Sequence, residues 1–336
     1  MKKLPAIPNN ILQRHEKSYF DPIKTALNLI IKGKYNGLAK QMKTIIEDNP
    51  LDDDDIQHLR AIRNLFIKHK LLTAKAETIR TVVEREKSSI SPNVLKLLAK
   101  VFDYSQFREG RCLYYCDGRL KWKTNDTGWG GYEFLQYHAR TLKYCPYCNA
   151  DTVYAFEKGN HKKVASALDH FYPQSKYPFL ALSLYNLVPV CSRCNSQMKG
   201  DADMTKVANP YIEDMHQNVC FFPILPKASP SLDDPCHIAV LPRKKAYDPR
   251  AKEFVRLFAL ERLYSSAFAG DALLCMERVR LCTPEFKRFM ASFIGAKDPR
   301  MVDILLFGAP PDESKINQTR LGKMTLDIVE RFGGFC

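Results

Sequence analysis

Cysteine pairs of the form C-x-x-C occur twice, as Cys145-Pro146-Tyr147-Cys148 and as Cys191-Ser192-Arg193-Cys194. Each such knuckle turns two sulfurs toward one point, and two knuckles complete a tetrahedral zinc site. One C-x-x-C alone could be a redox dithiol. Two of them, with no secretory signal in front, point to structural Zn²⁺ held by Cys145, Cys148, Cys191 and Cys194. The 42 residues between the knuckles exceed a zinc-ribbon spacing, so a small structural unit must be inserted there.

That insert carries side chains suited to proton transfer and cation binding. Ala165 to Leu168 reads as a strand that delivers Asp169-His170 at its end, followed by Pro173. Leu184 to Val190 reads as a second strand containing Asn186 and running into the second knuckle. Asn195 to Lys199 opens a polar helix. Histidine titrates where it can remove a proton near neutral pH. Aspartate offers a hard oxygen ligand and asparagine a neutral one, a combination suited to Mg²⁺. Taken singly, each has a plainer reading: a surface Asp-His, a turn at Asn186, a helix cap at Asn195. Their order around a zinc scaffold is what favours the chemical reading.

With these residues in view, the chain resembles the HNH endonucleases, the ββα-metal nucleases, in their zinc-bearing subgroup. The resemblance covers roughly residues 140–205 and rests on Cys145-x-x-Cys148, Leu168-Asp169-His170-x-x-Pro173, Asn186-Leu187-x-Pro189-x-Cys191-x-x-Cys194-Asn195 and Lys199. It implies that His170 is the general base activating water against a phosphodiester. It implies that Asp169 and Asn195 ligate a catalytic Mg²⁺ or Mn²⁺, and that Asn186 ties the loop and orients the base. Lys176, Arg193 and Lys199 are expected to contact flanking phosphates, against the plainer reading of solvated charges. The third motif position holds Asn195 rather than histidine, a weaker ligand that leaves the choice of metal open. The arrangement, with Asn209-Pro210-Tyr211 after the core, is similar to HNH subunits of Septu-type and retron-linked anti-phage systems, which implies an ATPase partner subunit.

Other chemistries lack their motifs. There is no G-x-x-x-x-G-K-[ST], no H-E-x-x-H, and no H-x-E with P-C-x-x-C, so P-loop hydrolysis, zincin proteolysis and zinc-dependent deamination are not expected.

The flanking elements read mainly as helices. In the first hundred residues, Asp21-Pro22 reads as a helix start ahead of Ile23, Ala26, Leu27, Ile30 and Ile31. Apolar stripes follow over Leu38–Ile46, Ile56–Phe66, Ala74–Glu86 and Pro92–Phe102, with Asp52 to Asp55 placed for a helix N-terminus. Starts 16 to 19 residues apart suggest a helical-hairpin array, with an irregular helical domain as the alternative. Arg111 to Cys116 and Leu120 to Lys123 read as a hairpin about Asp117-Gly118, and Tyr132–Leu142 as a helix. The last third mixes extended pieces (Val219–Leu225, His237–Leu241) with helices opened by Asp248-Pro249, near Ala272, by Thr283-Pro284, and over Leu321–Phe332.

Charge sets the class of partner. The 336 residues carry a formal net charge of +14, which favours a polyanion. By segment the excess is +7 over residues 1–110, +5 over 111–210 and +2 over 211–336. No apolar run approaches the 18 or so residues that span a bilayer, and the 11 cysteines suit a cytoplasmic chain. The expected fold is mostly α with a small α+β, zinc-stabilised ββα core. Its expected parts are a helical-hairpin region 1–103, a core with its lead-in 104–210, and a mostly helical region 211–336. The expected function is metal-dependent cleavage of nucleic acid, DNA before RNA. The competing reading is a zinc-knuckle nucleic-acid-binding or adaptor protein that cleaves nothing.

Overall fold

The computed structural model describes residues 1–85, 90–159, 161–225, 235–296, 300–308 and 312–333. Helices dominate, and the strands form four separate two-stranded antiparallel sheets.

The first helix, α1 (Asn9–Ile31), begins well before Asp21-Pro22 and carries Pro22 in its interior. The expected start at Asp21 is therefore corrected. His15, Tyr19, Ile23, Ala26, Leu27 and Ile30 form one buried stripe that crosses the proline. Burial of that stripe outweighs the hydrogen bond that a proline cannot donate. Helices α2 (Lys40–Asp48), α3 (Asp53–His69), α4 (Ala76–Arg85) and α5 (Pro92–Val101) follow. The helices start 31, 13, 23 and 16 residues apart rather than at an even spacing, so the region is an irregular helical bundle rather than a regular array. The acidic run Asp52 to Asp55 does sit at a helix N-terminus, and two side chains cap the region's helices. Asp52 accepts from the Asp55 amide at 2.8 Å, and Ser91 accepts from Val94 at 3.2 Å.

A short helix α6 (Tyr104–Arg108) leads into the hairpin β1 (Arg111–Cys116) and β2 (Arg119–Thr124). Asp117 and Gly118 both take positive φ, 52° and 75°, as a two-residue hairpin turn requires. The loop beyond is held close to α6. A Cβ on Gly130 would meet Gly110 Cα at 2.5 Å, so only glycine allows this approach. Helix α7 (Gly131–Ala139) then supports a hairpin the sequence had not shown, β3 (Ala155–Lys158) with β4 (His161–Val164).

The central unit is β5 (Ala167–His170) paired with β6 (Leu187–Val190), in the register Ala167 to Val190 and His170 to Leu187. One wide helical segment, Arg193–Lys199, follows it. Its Gly200 amide reaches the Asn195 carbonyl at 3.0 Å, a bond five residues back along the chain.

The C-terminal third supplies α8 (Met215–Asn218), the hairpin β7 (Val219–Ile224) and β8 (His237–Pro242), and α9 (Pro249–Leu257). It continues through α10 (Leu260–Ala267), α11 (Ala269–Leu281), α12 (Pro284–Phe293), α13 (Arg300–Phe307) and α14 (Gly322–Phe332). The stripe Phe254 to Leu263 is divided between α9 and α10 at Ala259, whose φ is +45°. A single apolar core runs through all three expected parts, from Met1 to Ile328. No helix among the described residues is long and apolar enough to cross a membrane.

Candidate functional site

The four knuckle cysteines converge. The Sγ atoms of Cys145, Cys148, Cys191 and Cys194 all lie within 4.8 Å of one another and all four residues are buried. Cys148 and Cys191 are 3.9 Å apart, close to the roughly 3.8 Å edge of a tetrahedron of sulfurs at about 2.3 Å from zinc. The Cys194 amide points at Cys191 Sγ over 3.5 Å, and the Arg193 guanidinium at Cys148 Sγ over 3.7 Å. Hydrogen bonds from the other three sulfurs push the Cys148 thiol far down, while those same contacts push Cys194 up. Burial pushes Cys145 up. Four buried sulfurs this close, with no other ligand among them, are the donor set of a tetrahedral metal site. The centre can hold a structural metal such as zinc.

Distant chain braces this centre. Asn149, just past the first knuckle, has φ +54° and a fully buried amide side chain. It donates to the Ile316 carbonyl at 2.8 Å and accepts from the Lys323 amide at 2.8 Å. Tyr264 donates to the Cys148 carbonyl at 2.7 Å. Tyr147 lies 4.4 Å from Phe258 in a stacked arrangement.

Beside it, the end of β5 presents two consecutive residues to opposite sides, as a strand must. Asp169 is 3% exposed. One of its oxygens accepts from the Tyr147 hydroxyl at 2.7 Å, and the other pairs with the Lys199 ammonium at 3.0 Å. Lys199 also donates to the His170 carbonyl at 2.8 Å. Burial raises the Asp169 carboxyl above its ordinary value, and Lys199 and Tyr147 pull it back.

His170 contacts the Ala181 carbonyl through Nε2 at 3.0 Å. A carbonyl only accepts, so Nε2 carries the proton and Nδ1 keeps a lone pair. Burial pushes this imidazole down to about 4, and the charge of Lys199 adds to the effect. It is therefore neutral at physiological pH. Tyr104 packs edge-on at 4.5 Å and donates to the Leu168 carbonyl at 3.1 Å, fixing the ring from the α6 side.

The partner carbonyl of His170 is itself held firmly. Asn186, buried in the chain between β5 and β6, accepts from the Tyr172 amide at 2.8 Å and donates to the Tyr172 and Leu180 carbonyls at 3.2 Å each. His15 bonds the Leu182 carbonyl at 2.7 Å and accepts from Trp129 at 3.0 Å. The tie expected of Asn186 is thus a set of three backbone bonds, and α1 adds a fourth restraint.

Asp169, His170, Asn195 and Lys199 line one cleft of about 880 Å³, together with Lys96, Tyr104, Arg108, Ser192 and Asp201. Sequence reasoning missed Lys96 and Arg108. They arrive from α5 and α6 with no local motif to announce them, and the positive charge of residues 1–110 was the only signal. Both are exposed. Of the three lysines and arginines expected to touch phosphate, only Lys176 is exposed, and it does not line the cleft. Arg193 pairs with Asp151 at 3.0 Å, and Lys199 is buried against Asp169.

The side chains as placed do not fit a divalent cation on Asp169, because Tyr147 and Lys199 take both carboxylate oxygens. The Asn195 amide faces the cleft with no hydrogen-bond partner among the described residues. Among those residues the four cysteines are the one cluster of His, Cys, Asp and Glu able to hold a metal.

Compared with protein-family models, with curated proteins and with solved structures, the chain gives no significant match.

Proposed function

We propose that the protein is an HNH-type nuclease that hydrolyses phosphodiester bonds in nucleic acid. The observation that carries this reading is the open Nδ1 of a neutral His170, set at the end of a strand beside a four-cysteine centre and facing a cleft edged by Lys96 and Arg108. A water held at Nδ1 gives its proton to the imidazole as its oxygen bonds to phosphorus. The bond from phosphorus to the leaving ribose oxygen breaks, and that oxygen takes a proton from solvent. Lys96 and Arg108 offset the charge on the phosphate. Two cations of the basic helical region, Lys96 and Arg108, thus edge the cleft of the core.

The sealed Asp169–Lys199 pair favours the second reading, a nucleic-acid-binding protein that does not cleave. Incubation of plasmid or tRNA with wild type and with His170→Ala, with Mg²⁺ or Mn²⁺ added, separates the two. Loss of cleavage in the variant supports the nuclease. No cleavage by wild type under either ion supports the binder. An anti-phage role with an ATPase partner rests on the family resemblance alone, and co-purification with such a subunit tests it.

A further inference from the structure

The hairpin β3–β4 carries a feature that the proposed cleavage chemistry does not use. Tyr154 and Phe156 are 51% and 44% exposed, and their rings lie 6.2 Å apart at a 32° tilt. Phe156 stands directly opposite Lys163 in the register, which puts Lys163 on the same face. Lys163 is exposed and has no ion-pair partner among the described residues.

The opposite face of the hairpin is bonded to α7. Gln136 of α7 donates to the Ala155 carbonyl at 3.3 Å, Tyr132 donates to Glu157 at 3.1 Å, and Lys162 pairs with Glu133. The aromatic face is therefore turned away from α7, which bonds the hairpin from behind. The other exposed aromatic hairpin, β1–β2, differs in this respect. There the Lys123 ammonium already covers the Tyr114 ring at 4.1 Å and pairs with Asp126 at 2.6 Å.

The base of the hairpin is bonded directly to the cleft wall. The Tyr154 amide donates to Ser166 Oγ at 2.9 Å, and the Ser166 amide donates to the Tyr154 carbonyl at 3.2 Å. Val164, Ala165, Ser166 and Ala167 are cleft wall. Ser166 and His170 are four residues apart, at most about 14 Å of chain, a span of roughly four stacked nucleotides.

We propose that Tyr154, Phe156 and Lys163 form a stacking platform for unpaired bases, which makes single-stranded nucleic acid the ligand of the adjoining cleft. This rests on the nuclease reading only for what happens at His170. Two exposed rings beside an unpaired cation match a base and its phosphate, and paired bases inside a duplex cannot reach such a surface. An acidic peptide would use the lysine but leave the two rings without a partner.

The test is fluorescence anisotropy on zinc-loaded protein carrying His170→Ala, so that cleavage cannot contribute. The probes are a labelled oligothymidylate and a duplex of the same length. The parent should bind the single strand more tightly. Tyr154→Ala with Phe156→Ala should weaken single-strand binding by about tenfold or more and leave duplex binding unchanged. Tyr154→Trp with Phe156→Trp should restore it. Metal content and melting temperature of each variant serve as the folding control. A parent that prefers duplex, or an alanine variant that binds the single strand as tightly as the parent, overturns the platform. Failure of wild type to cleave would overturn the nuclease reading and leave this measurement intact.

Discussion

Asp169 and His170 follow one another on β5, yet their surroundings differ in kind. Asp169 is closed off beside the cysteine centre: both its oxygens are bonded, by Tyr147 of the first knuckle and by Lys199, and Asn149 nearby bonds Ile316 and Lys323. His170 faces the cleft, where Nδ1, the Asn195 amide, Lys96 and Arg108 are left open. Buried polar groups are normally satisfied, so the saturated side reads as scaffold. Unsatisfied groups gathered around a concave surface read as the place where a ligand completes the bonding. The residues that share a motif in sequence are thus divided by the fold into bonded supports and groups left open to a ligand.

Breaking the closed side should give the largest effect. Cys191→Ser removes one of four sulfurs at a centre where metal binding contributes folding free energy on the order of 10 kcal/mol. Zinc content should fall from one equivalent to none, and the cooperative thermal transition should be lost. Unchanged zinc stoichiometry would mean that the centre is held some other way.

The Asp169–Lys199 pair should give the next largest. Both side chains are no more than 3% exposed, and removing one partner leaves a buried charge uncompensated, at a cost of about 3–5 kcal/mol. Lys199→Met should lower the denaturant midpoint accordingly, and adding Asp169→Asn should recover much of the loss. If Lys199 served as a surface phosphate contact, as the motif suggests, stability would be unchanged and only the salt dependence of binding would shift.

A smaller effect concerns pH on the open side. A general base works only when unprotonated. Because burial sets His170 to about 4 rather than the ordinary 6.5, the acid limb of cleavage should fall near pH 4. A rate that is already halved near pH 6.5 would show that the imidazole is not enclosed as described.

The division between the two sides explains what the sequence could and could not reveal. The knuckles, the strand ending in Asp169-His170, and caps such as Asp52 and Ser91 are local patterns, and the fold keeps them. The expected strand from Leu184 begins only at Leu187, with Asn186 in a helical turn before it. Asp21-Pro22 misled because a local start signal was outweighed by a buried stripe extending from His15 to Ile30. The β3–β4 hairpin was not legible because Glu157, Lys162 and Lys163 interrupt the alternation of apolar residues that marks a half-buried strand. Lys199 looked like a surface cation because only tertiary packing brings Tyr147 and Asp169 around it. Lys96 and Arg108 reach the cleft from more than 60 residues before His170, a contact that no local spacing encodes.

The central claim is that His170 is the base at an otherwise intact, metal-bearing fold. The most direct measurement compares plasmid and tRNA cleavage by wild type and His170→Ala proteins matched for zinc content and melting temperature. Cleavage should fall by about a hundredfold or more while zinc and melting temperature stay constant. A His170→Ala protein that cleaves as fast as wild type would contradict it.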